Sequence, residues 1–304
     1  MDTQSRRTFV GEAIAGLAAA VATASPGAKP QLGVVVSATG GVNPDAALAR
    51  VKRLGFSSCQ LGVGMAPAEM APAIRAAIEK YQVHPTALMT LGEGRMVWNL
   101  REGPETIGVI PRATRKSRVD ALKRASDLAK ACGVKAVHTH CGFIPENPND
   151  PLYAETVKVL RDVIGYARNN GQTFLCETGQ ETPITLLRAI QDVGLDNMAV
   201  NLDVANLILY GKGEPVGALD VLGAHVRGLH AKDGLYPTDP YGLGKETPIG
   251  SGRVRFPEVF HKLSALHYTG PVTIEREISG PRQELDIRES QEFLTKLIDR
   301  EYGA

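Results

Sequence analysis

Four side chains of the metal-ligand type each close a short, mostly apolar run of the chain: Glu177, Asp203, His230 and Glu275. Three carboxylates brought together would repel one another strongly unless a cation lay among them. Three oxygen ligands and one nitrogen ligand suit Mn²⁺, our first choice, and are also compatible with Mg²⁺, Co²⁺ or Zn²⁺. If the four side chains meet in space, they predict a site for one divalent metal ion.

The elements that must position these residues are short strands that alternate with longer amphipathic helices. The predicted strands span residues 32–36, 58–62, 86–90, 136–140, 173–177, 198–203, 226–230 and 271–275. Between and after them, helices are predicted at residues 43–54, 67–81, 115–131, 153–169, 183–192, 216–222, 257–266 and 286–300. A series of eight strand-then-helix units with no second composition zone predicts an α/β fold, a single (β/α)₈ TIM barrel.

An open, doubly wound sheet is the alternative architecture. Such sheets usually carry a glycine-rich phosphate loop after the first strand. Here residues 37–41 read Ser-Ala-Thr-Gly-Gly, which lacks the G-x-G-x-x-G spacing. The closed barrel is therefore the prediction.

The four ligand-type residues end the fifth to eighth predicted strands, one on each strand. In a closed parallel barrel the active site lies at the carboxyl ends of the strands, and neighbouring strands lie about 4.8 Å apart. One acidic residue at a strand end is more often a helix cap, and one histidine in a strand is more often a packed core residue. The series on four successive strands favours a metal site.

The first residues of the chain predict a separate segment. Residues 5–10 read Ser-Arg-Arg-Thr-Phe-Val and precede a short apolar run, and residues 22–24 form an A-x-A cleavage site. We predict a twin-arginine signal peptide over 1–24, a Pro/Gly/Ser linker over 25–30 and the barrel over 31–304, with export to the periplasm. The alternative is a frayed amphipathic helix.

Charge excludes one class of partner. The 304 residues carry a formal net charge of +1, and the sequence pI is about 7.7. A nearly neutral protein has no long-range field that would attract a polyanion. We therefore expect no nucleic acid partner, and no membrane association once the signal peptide is cleaved.

Five motifs resemble the xylose isomerase-like barrels, a group of sugar isomerases and epimerases. The resemblance covers roughly residues 31–300 and is strongest at Glu177-Thr-Gly-Gln-Glu181, Asn201-Leu-Asp-Val-Ala-Asn206, Gly228-Leu-His-Ala-Lys-Asp233, Pro248-Ile-Gly-Ser-Gly252 and Gly270-Pro-Val-Thr-Ile-Glu-Arg-Glu277. It implies that Glu177, Asp203, His230 and Glu275 bind the metal ion. It also implies a carbohydrate substrate.

The resemblance further implies a mechanism. The metal ion would polarise the carbonyl group of a keto-sugar and stabilise an enediolate. Glu177 and Glu275, each both a ligand and an acid/base group, would remove a proton next to the carbonyl and return one. Related barrels often pair through their loops, so a homo-oligomer is compatible with the sequence.

Four further residues are candidates for substrate binding. His140 ends the fourth predicted strand, and His138 has the same strand parity, so only one of them need reach the site. Lys232 would neutralise an oxyanion or assist proton transfer, or else form a loop salt bridge. Trp98 would stack on the sugar from the long third loop, or anchor that loop. Asn206 stands where many of the epimerases have a substrate-contacting histidine.

Three other functions remain open at this point. The same metal and bases would serve a lyase, hydrolase or dehydratase that acts on 3-keto-glycosides or inososes. A phosphodiesterase like the abasic-site endonucleases would need more histidine ligands and a basic groove. A non-catalytic periplasmic sugar binder would not need two metal-binding carboxylates that can act as bases.

Overall fold

The strands form a closed barrel in the computed structural model, which describes residues 28–303. The strand bounds are β1 (Leu32–Ser37), β2 (Ser58–Gly62), β3 (His84–Met89), β4 (Ala136–Thr139), β5 (Thr173–Glu177), β6 (Met198–Asp203), β7 (Val226–Ala231), β8 (Asp233–Gly234), β9 (Glu246–Thr247) and β10 (Val272–Ile274). The barrel order is β1-β10-β7-β6-β5-β4-β3-β2, and all of its pairs are parallel. The predicted (β/α)₈ TIM barrel is confirmed.

Helices surround the barrel on the outside. Their bounds are α1 (Pro44–Arg53), α2 (Met70–Tyr81), α3 (Gly103–Thr106), α4 (Arg112–Cys132), α5 (Pro151–Asn169), α6 (Pro183–Val193), α7 (Asn206–Leu209), α8 (Pro215–Leu222), α9 (Phe256–Ala265) and α10 (Pro281–Tyr302). Proline opens α1, α5, α6, α8 and α10, where its fixed φ suits the first turn and its missing N–H costs nothing. The Asn43 side chain caps α1 by accepting from the amide of Ala46 at 2.8 Å.

Two hydrophobic layers hold the barrel together. The larger lies between the strands and the helices, and the smaller lies inside the barrel and consists of Ala87, Ala136, Leu175 and Ala199. The three alanines of this layer suit the narrow interior of the barrel, away from the carboxyl ends of the strands. Toward the carboxyl ends of the strands the interior becomes polar. Gln60, His138, Asn201 and three of the ligand-type residues are buried there, and the fourth, Glu275, is half-buried. The apolar layer inside the barrel therefore gives way to polar side chains at the level of the four ligand-type residues.

A helical turn and a hairpin near the candidate site were not predicted from the sequence, nor was the short helix α3. α7 is a single turn that begins at Asn206, directly after the Asp203 strand end. β8 and β9 form an antiparallel hairpin that begins at Asp233, beyond β7. Both are too short to show a hydrophobic period. They matter because they place Asn206 and Lys232 against the site.

The predicted signal peptide, residues 1–24, lies outside the described residues and stays a prediction. Between residues 28 and 303, no helix combines the length and the apolar character that crossing a membrane would require.

Candidate metal centre and active site

The four ligand-type residues converge at the carboxyl ends of the strands. Glu177 and Asp203 are the last residues of β5 and β6, His230 pairs with Asp203 in register, and Glu275 directly follows β10. The Glu275 amide still donates to the carbonyl of Ala231 at 3.0 Å, which continues the ladder beyond β10. One candidate ligand atom from each residue lies within 4.8 Å of the other three.

The imidazole of His230 lies at the centre of this group. Its Nδ1 is 3.3 Å from Glu177 Oε1, 3.7 Å from Asp203 Oδ2 and 3.5 Å from Glu275 Oε2. These distances are those of atoms that face a common point. The predicted ligand set therefore has the geometry to hold one ion.

A hydrogen-bond chain across the barrel orients His230. Its Nε2 lies 2.9 Å from Gln60 Oε1, and the Gln60 amide nitrogen donates to Asn201 Oδ1 at 2.9 Å. Gln60 Oε1 can accept from Nε2–H, so in the neutral ring the lone pair of Nδ1 would face the carboxylates, as a metal ligand requires. Gly228 leaves room for this chain, because a Cβ there would lie 2.4 Å from Asn201 Oδ1. Sequence reasoning missed Gln60.

Unsatisfied buried atoms test whether the site fits a metal ion. Within residues 28–303, Asp203 Oδ2 and His230 Nδ1 are buried, face the other candidate ligands and make no hydrogen bond. Buried polar atoms in folded proteins are rarely without a partner. A divalent cation would satisfy both atoms at once, and these donor types are those of Mn²⁺ and Mg²⁺ sites. The residues therefore fit the predicted ion.

The electrostatics of the cluster favour positive charge at the same place. Burial would by itself lower the pKa of His230, but Glu275 and Glu177 raise that pKa well above its ordinary value. Burial raises the pKa of Asp203 to about 6. A protein that binds no ion here would retain protons on these groups, and a divalent cation would displace them.

Glu177 has two histidine neighbours from β4 and the residue after it. Its Oε2 lies 2.9 Å from His138 Nε2 and 3.1 Å from His140 Nε2. We expected that only one of these histidines need reach the site, but both contact the same carboxylate oxygen. Burial would raise the pKa of Glu177, yet the three nearby histidines hold it well below its usual value.

Asn206 and Lys232 join the two glutamates. Asn206 donates from Nδ2 to Glu177 Oε1 at 3.0 Å and accepts on Oδ1 from Lys232 Nζ at 3.3 Å. Lys232 in turn donates to Glu275 Oε2 at 3.1 Å and lies 2.8 Å from Glu277 Oε2. Both candidates for substrate binding therefore lie inside the site, where they also orient the proposed bases.

Trp98 forms one wall of the mouth. Its ring packs edge-on against His140, with the two ring centres 5.0 Å apart and an interplanar angle of 64°. Trp98 is 41% exposed, whereas the His140 side chain is 13% exposed. The third loop therefore brings an aromatic side chain to the edge of the candidate metal centre, and the stacking of Trp98 on a sugar stays a prediction.

Comparisons with known proteins place this geometry in a family. The profile of the Xylose isomerase-like TIM barrel family matches residues 48–297. A solved xylose isomerase domain protein from Planctomyces limnophilus is 33% identical, with a TM-score of 0.85, and the match covers 91% of this chain and 100% of that one.

More distant solved structures share the fold. The 3-keto-D-glucoside 4-epimerase of Escherichia coli is 16% identical, with a TM-score of 0.64, over 88% of this chain and 100% of that one. A xylose isomerase-like TIM barrel protein from Mycobacterium smegmatis, solved in complex with magnesium, is 19% identical, with a TM-score of 0.65, over 85% of this chain and 89% of that one.

Among curated relatives, an uncharacterized protein of Methanocaldococcus jannaschii is 25% identical over 174 residues, 54% of this chain and 58% of that protein. The chain spans about half the length of the curated relatives that it matches, 58% and 45% in the two cases. The family profile matches most of the chain, and the Planctomyces structure matches nearly all of it. The chain belongs to the xylose isomerase-like TIM barrel family.

Proposed function

We propose that this protein is a divalent-metal-dependent sugar isomerase or epimerase that acts on keto-sugars. Glu177 and Glu275 would remove a proton from the carbon next to the carbonyl group and return one, through an enediolate. The observation that carries the proposal is the convergence of four ligand atoms within 4.8 Å, among which Asp203 Oδ2 and His230 Nδ1 are buried and without hydrogen bonds in residues 28–303. A passive sugar binder would not need this cluster.

The bound ion would polarise the substrate carbonyl and make the neighbouring C–H more acidic. Side chains of the protein would position the two carboxylates and stabilise the charge that develops on the substrate. Asn206 and Lys232 hold the two carboxylates in position, because one side-chain bridge connects Glu177 to Glu275. Lys232 also brings a positive charge to the place where negative charge develops on the substrate oxygens.

The similar structures support a carbohydrate substrate. One of them is a 3-keto-D-glucoside 4-epimerase, and another was solved with magnesium. We propose Mn²⁺ as the ion of this protein, with Mg²⁺, Co²⁺ and Zn²⁺ as the alternatives for a metal analysis to decide. Nucleic acid is not among the proposed partners, and a homo-oligomer remains to be tested in solution.

The test is a screen of the metal-loaded protein against keto-sugars and keto-glycosides in D₂O, with Glu177→Gln as the control. Deuterium that enters a recovered or epimerised sugar supports the proposal, and the Glu177→Gln variant should lose several orders of magnitude of turnover while staying folded. Binding without exchange or product in the wild-type protein would contradict it.

A lyase or dehydratase acting on 3-keto-glycosides or inososes is the second candidate. The specific observation behind it is the likeness to a protein that carries a 3-keto-glucoside in its name. The same pair of glutamates would remove the proton, and the bond to a β-leaving group would then break. Release of an aglycone or of water in the same screen would assign this reaction instead.

We also propose that the protein reaches the periplasm through the twin-arginine route, as residues 1–24 predict. Fractionation of cells that express the full chain tests this. Replacing Arg6 and Arg7 with lysine should retain the protein in the cytoplasm.

A further inference from the structure

Arg118, on α4, is a cation with no exposed surface. Within residues 28–303 it forms no ion pair, and all of its hydrogen bonds go to backbone carbonyl groups. Burying a guanidinium without a counter-ion is costly unless its donors are satisfied in other ways. A large apolar side chain would fill the same space without this cost, so the three hydrogen bonds themselves need an explanation.

The three carbonyls belong to the two ends of one loop. Arg118 donates from Nε to Glu93 at 3.1 Å and from Nη2 to Arg95 at 3.2 Å, both near the start of the segment between β3 and α4. It donates from Nη1 to Gly108 at 2.8 Å, near the end of that segment. One side chain therefore ties together both ends of the loop that carries Trp98.

The end of the loop also packs against the chain next to His140. The Val109 amide donates to the carbonyl of Cys141 at 3.0 Å. A Cβ at Gly108 would lie 2.1 Å from the same carbonyl oxygen, so the two backbones are in close contact. Arg118 thus binds a residue that rests directly on the residue after His140.

We propose that Arg118 is a positioning residue that holds Trp98 against His140 and so forms one wall of the substrate site. Trp98 lies between the anchored ends of the loop, and its ring contacts the imidazole that lies 3.1 Å from Glu177. Only arginine has a planar fork with enough donors to bind three carbonyls in fixed directions. Lysine would keep the charge and lose this geometry.

The first test uses the protein's single tryptophan as a reporter and needs no substrate. Acrylamide quenching of Trp98 fluorescence is compared in the wild-type protein, Arg118→Lys, Arg118→Met and the control Arg124→Met. Arg124 is an exposed arginine of the same helix. Because Trp98 already exposes 41% of its surface, its full release would raise the quenching constant by about twofold. Arg124→Met should leave that constant unchanged.

The second test is kinetic, and it alone rests on the proposed function. Arg118→Lys should raise KM by about two- to tenfold, the range expected for the loss of one aromatic contact, with little change in kcat. In a Trp98→Ala background the same substitution should have no further effect on KM. If Arg118 had a purely structural role, Arg118→Lys would change KM or kcat both in the wild-type background and in the Trp98→Ala background.

The outcomes separate the two proposals. Increased quenching in an Arg118 variant of a protein that turns over no keto-sugar supports the positioning role and contradicts the proposed function. Unchanged quenching in a folded Arg118→Lys variant overturns the positioning role, whatever the activity.

If both Arg118 variants fail to fold, hydrogen exchange in the wild-type protein decides. The Val109 amide should then be protected as strongly as the amides of β4. Exchange of this amide as fast as that of an exposed loop would overturn the proposal.

Discussion

Gln60 and His230 are 170 positions apart in the chain, yet Gln60 Oε1 and His230 Nε2 lie 2.9 Å apart inside the barrel. For the neutral imidazole this contact favours the tautomer whose Nδ1 lone pair faces Glu177, Asp203 and Glu275. Asn201 orients Gln60 in turn through a 2.9 Å hydrogen bond. Side chains of two strands, β2 and β6, therefore orient the candidate metal ligand His230.

Replacing Gln60 with leucine should weaken metal binding by about 10–100-fold, as is usual when an outer-shell partner of a histidine ligand is lost. The reason is that His230 would be free to rotate or to protonate Nδ1. Titration calorimetry with Mn²⁺ on the wild-type protein and on Gln60→Leu measures the effect. Gln82→Leu, an exposed control, should bind normally, and equal affinity in all three proteins would remove Gln60 from the account.

Metal loading should stabilise the fold, because the ion binds a cluster that exists only in the folded chain. At a free metal concentration of about 100 times the Kd, the melting temperature should rise by roughly 5–10 °C. Excess chelator should remove the gain. Asp203→Asn is the matched control, because an amide oxygen can still accept from the backbone of Ala205 and Asn206, as Asp203 Oδ1 does. A full response to metal in this variant would contradict the predicted site.

Lys232→Met should separate catalysis from metal binding. Removing the cation should lower turnover by about 10²–10³-fold if Lys232 stabilises charge on the substrate. Metal affinity should not fall, because the substitution removes the Lys232 ammonium group, whose positive charge would repel the ion. The comparison variant is Glu277→Gln, which removes only the partner of Lys232 at 2.8 Å. If the two variants have the same kinetics, Lys232 serves only as a loop salt bridge.

Glu181 should make stability depend on pH. Burial raises the pKa of this carboxyl group from 4.5 to about 8 in the folded protein. The folded chain therefore holds a proton that the unfolded chain releases above about pH 4.5, so the free energy of unfolding should fall as pH rises from about 4.5 to 8. For one proton the slope is at most about 1.4 kcal/mol per pH unit.

Glu181→Gln should remove this dependence, because a neutral amide has no proton to lose. Melting curves at pH 5 to 9, all with the same metal loading, measure the slope for the wild-type protein and the variant. The exposed Glu79→Gln variant is the control and should behave like the wild-type protein. An unchanged slope in Glu181→Gln would show that another group is responsible.

The barrel and its ligands follow from local patterns in the chain. β2, β5 and β6 have the predicted bounds, because each is a short buried run between clear turn and helix signals. A strand end that carries a carboxylate or imidazole is visible in the sequence. Four such ends in consecutive units predict convergence once the strands are parallel and neighbouring. The resemblance of five motifs to the xylose isomerase-like barrels implies, in addition, metal-dependent proton transfer on a sugar.

Only the tertiary structure determines which side chains contact the four candidate ligands. Nothing near Gln60 in the sequence indicates that it reaches His230, and strand parity did not show that His138 and His140 share one oxygen of Glu177. Arg118 lies in an amphipathic helix, where an arginine is ordinarily a surface residue. These contacts join residues that are distant in sequence, and they depend on the register of the closed barrel and the path of its loops. Local side-chain patterns determine which residues end the strands, whereas closure of the barrel determines which of them touch.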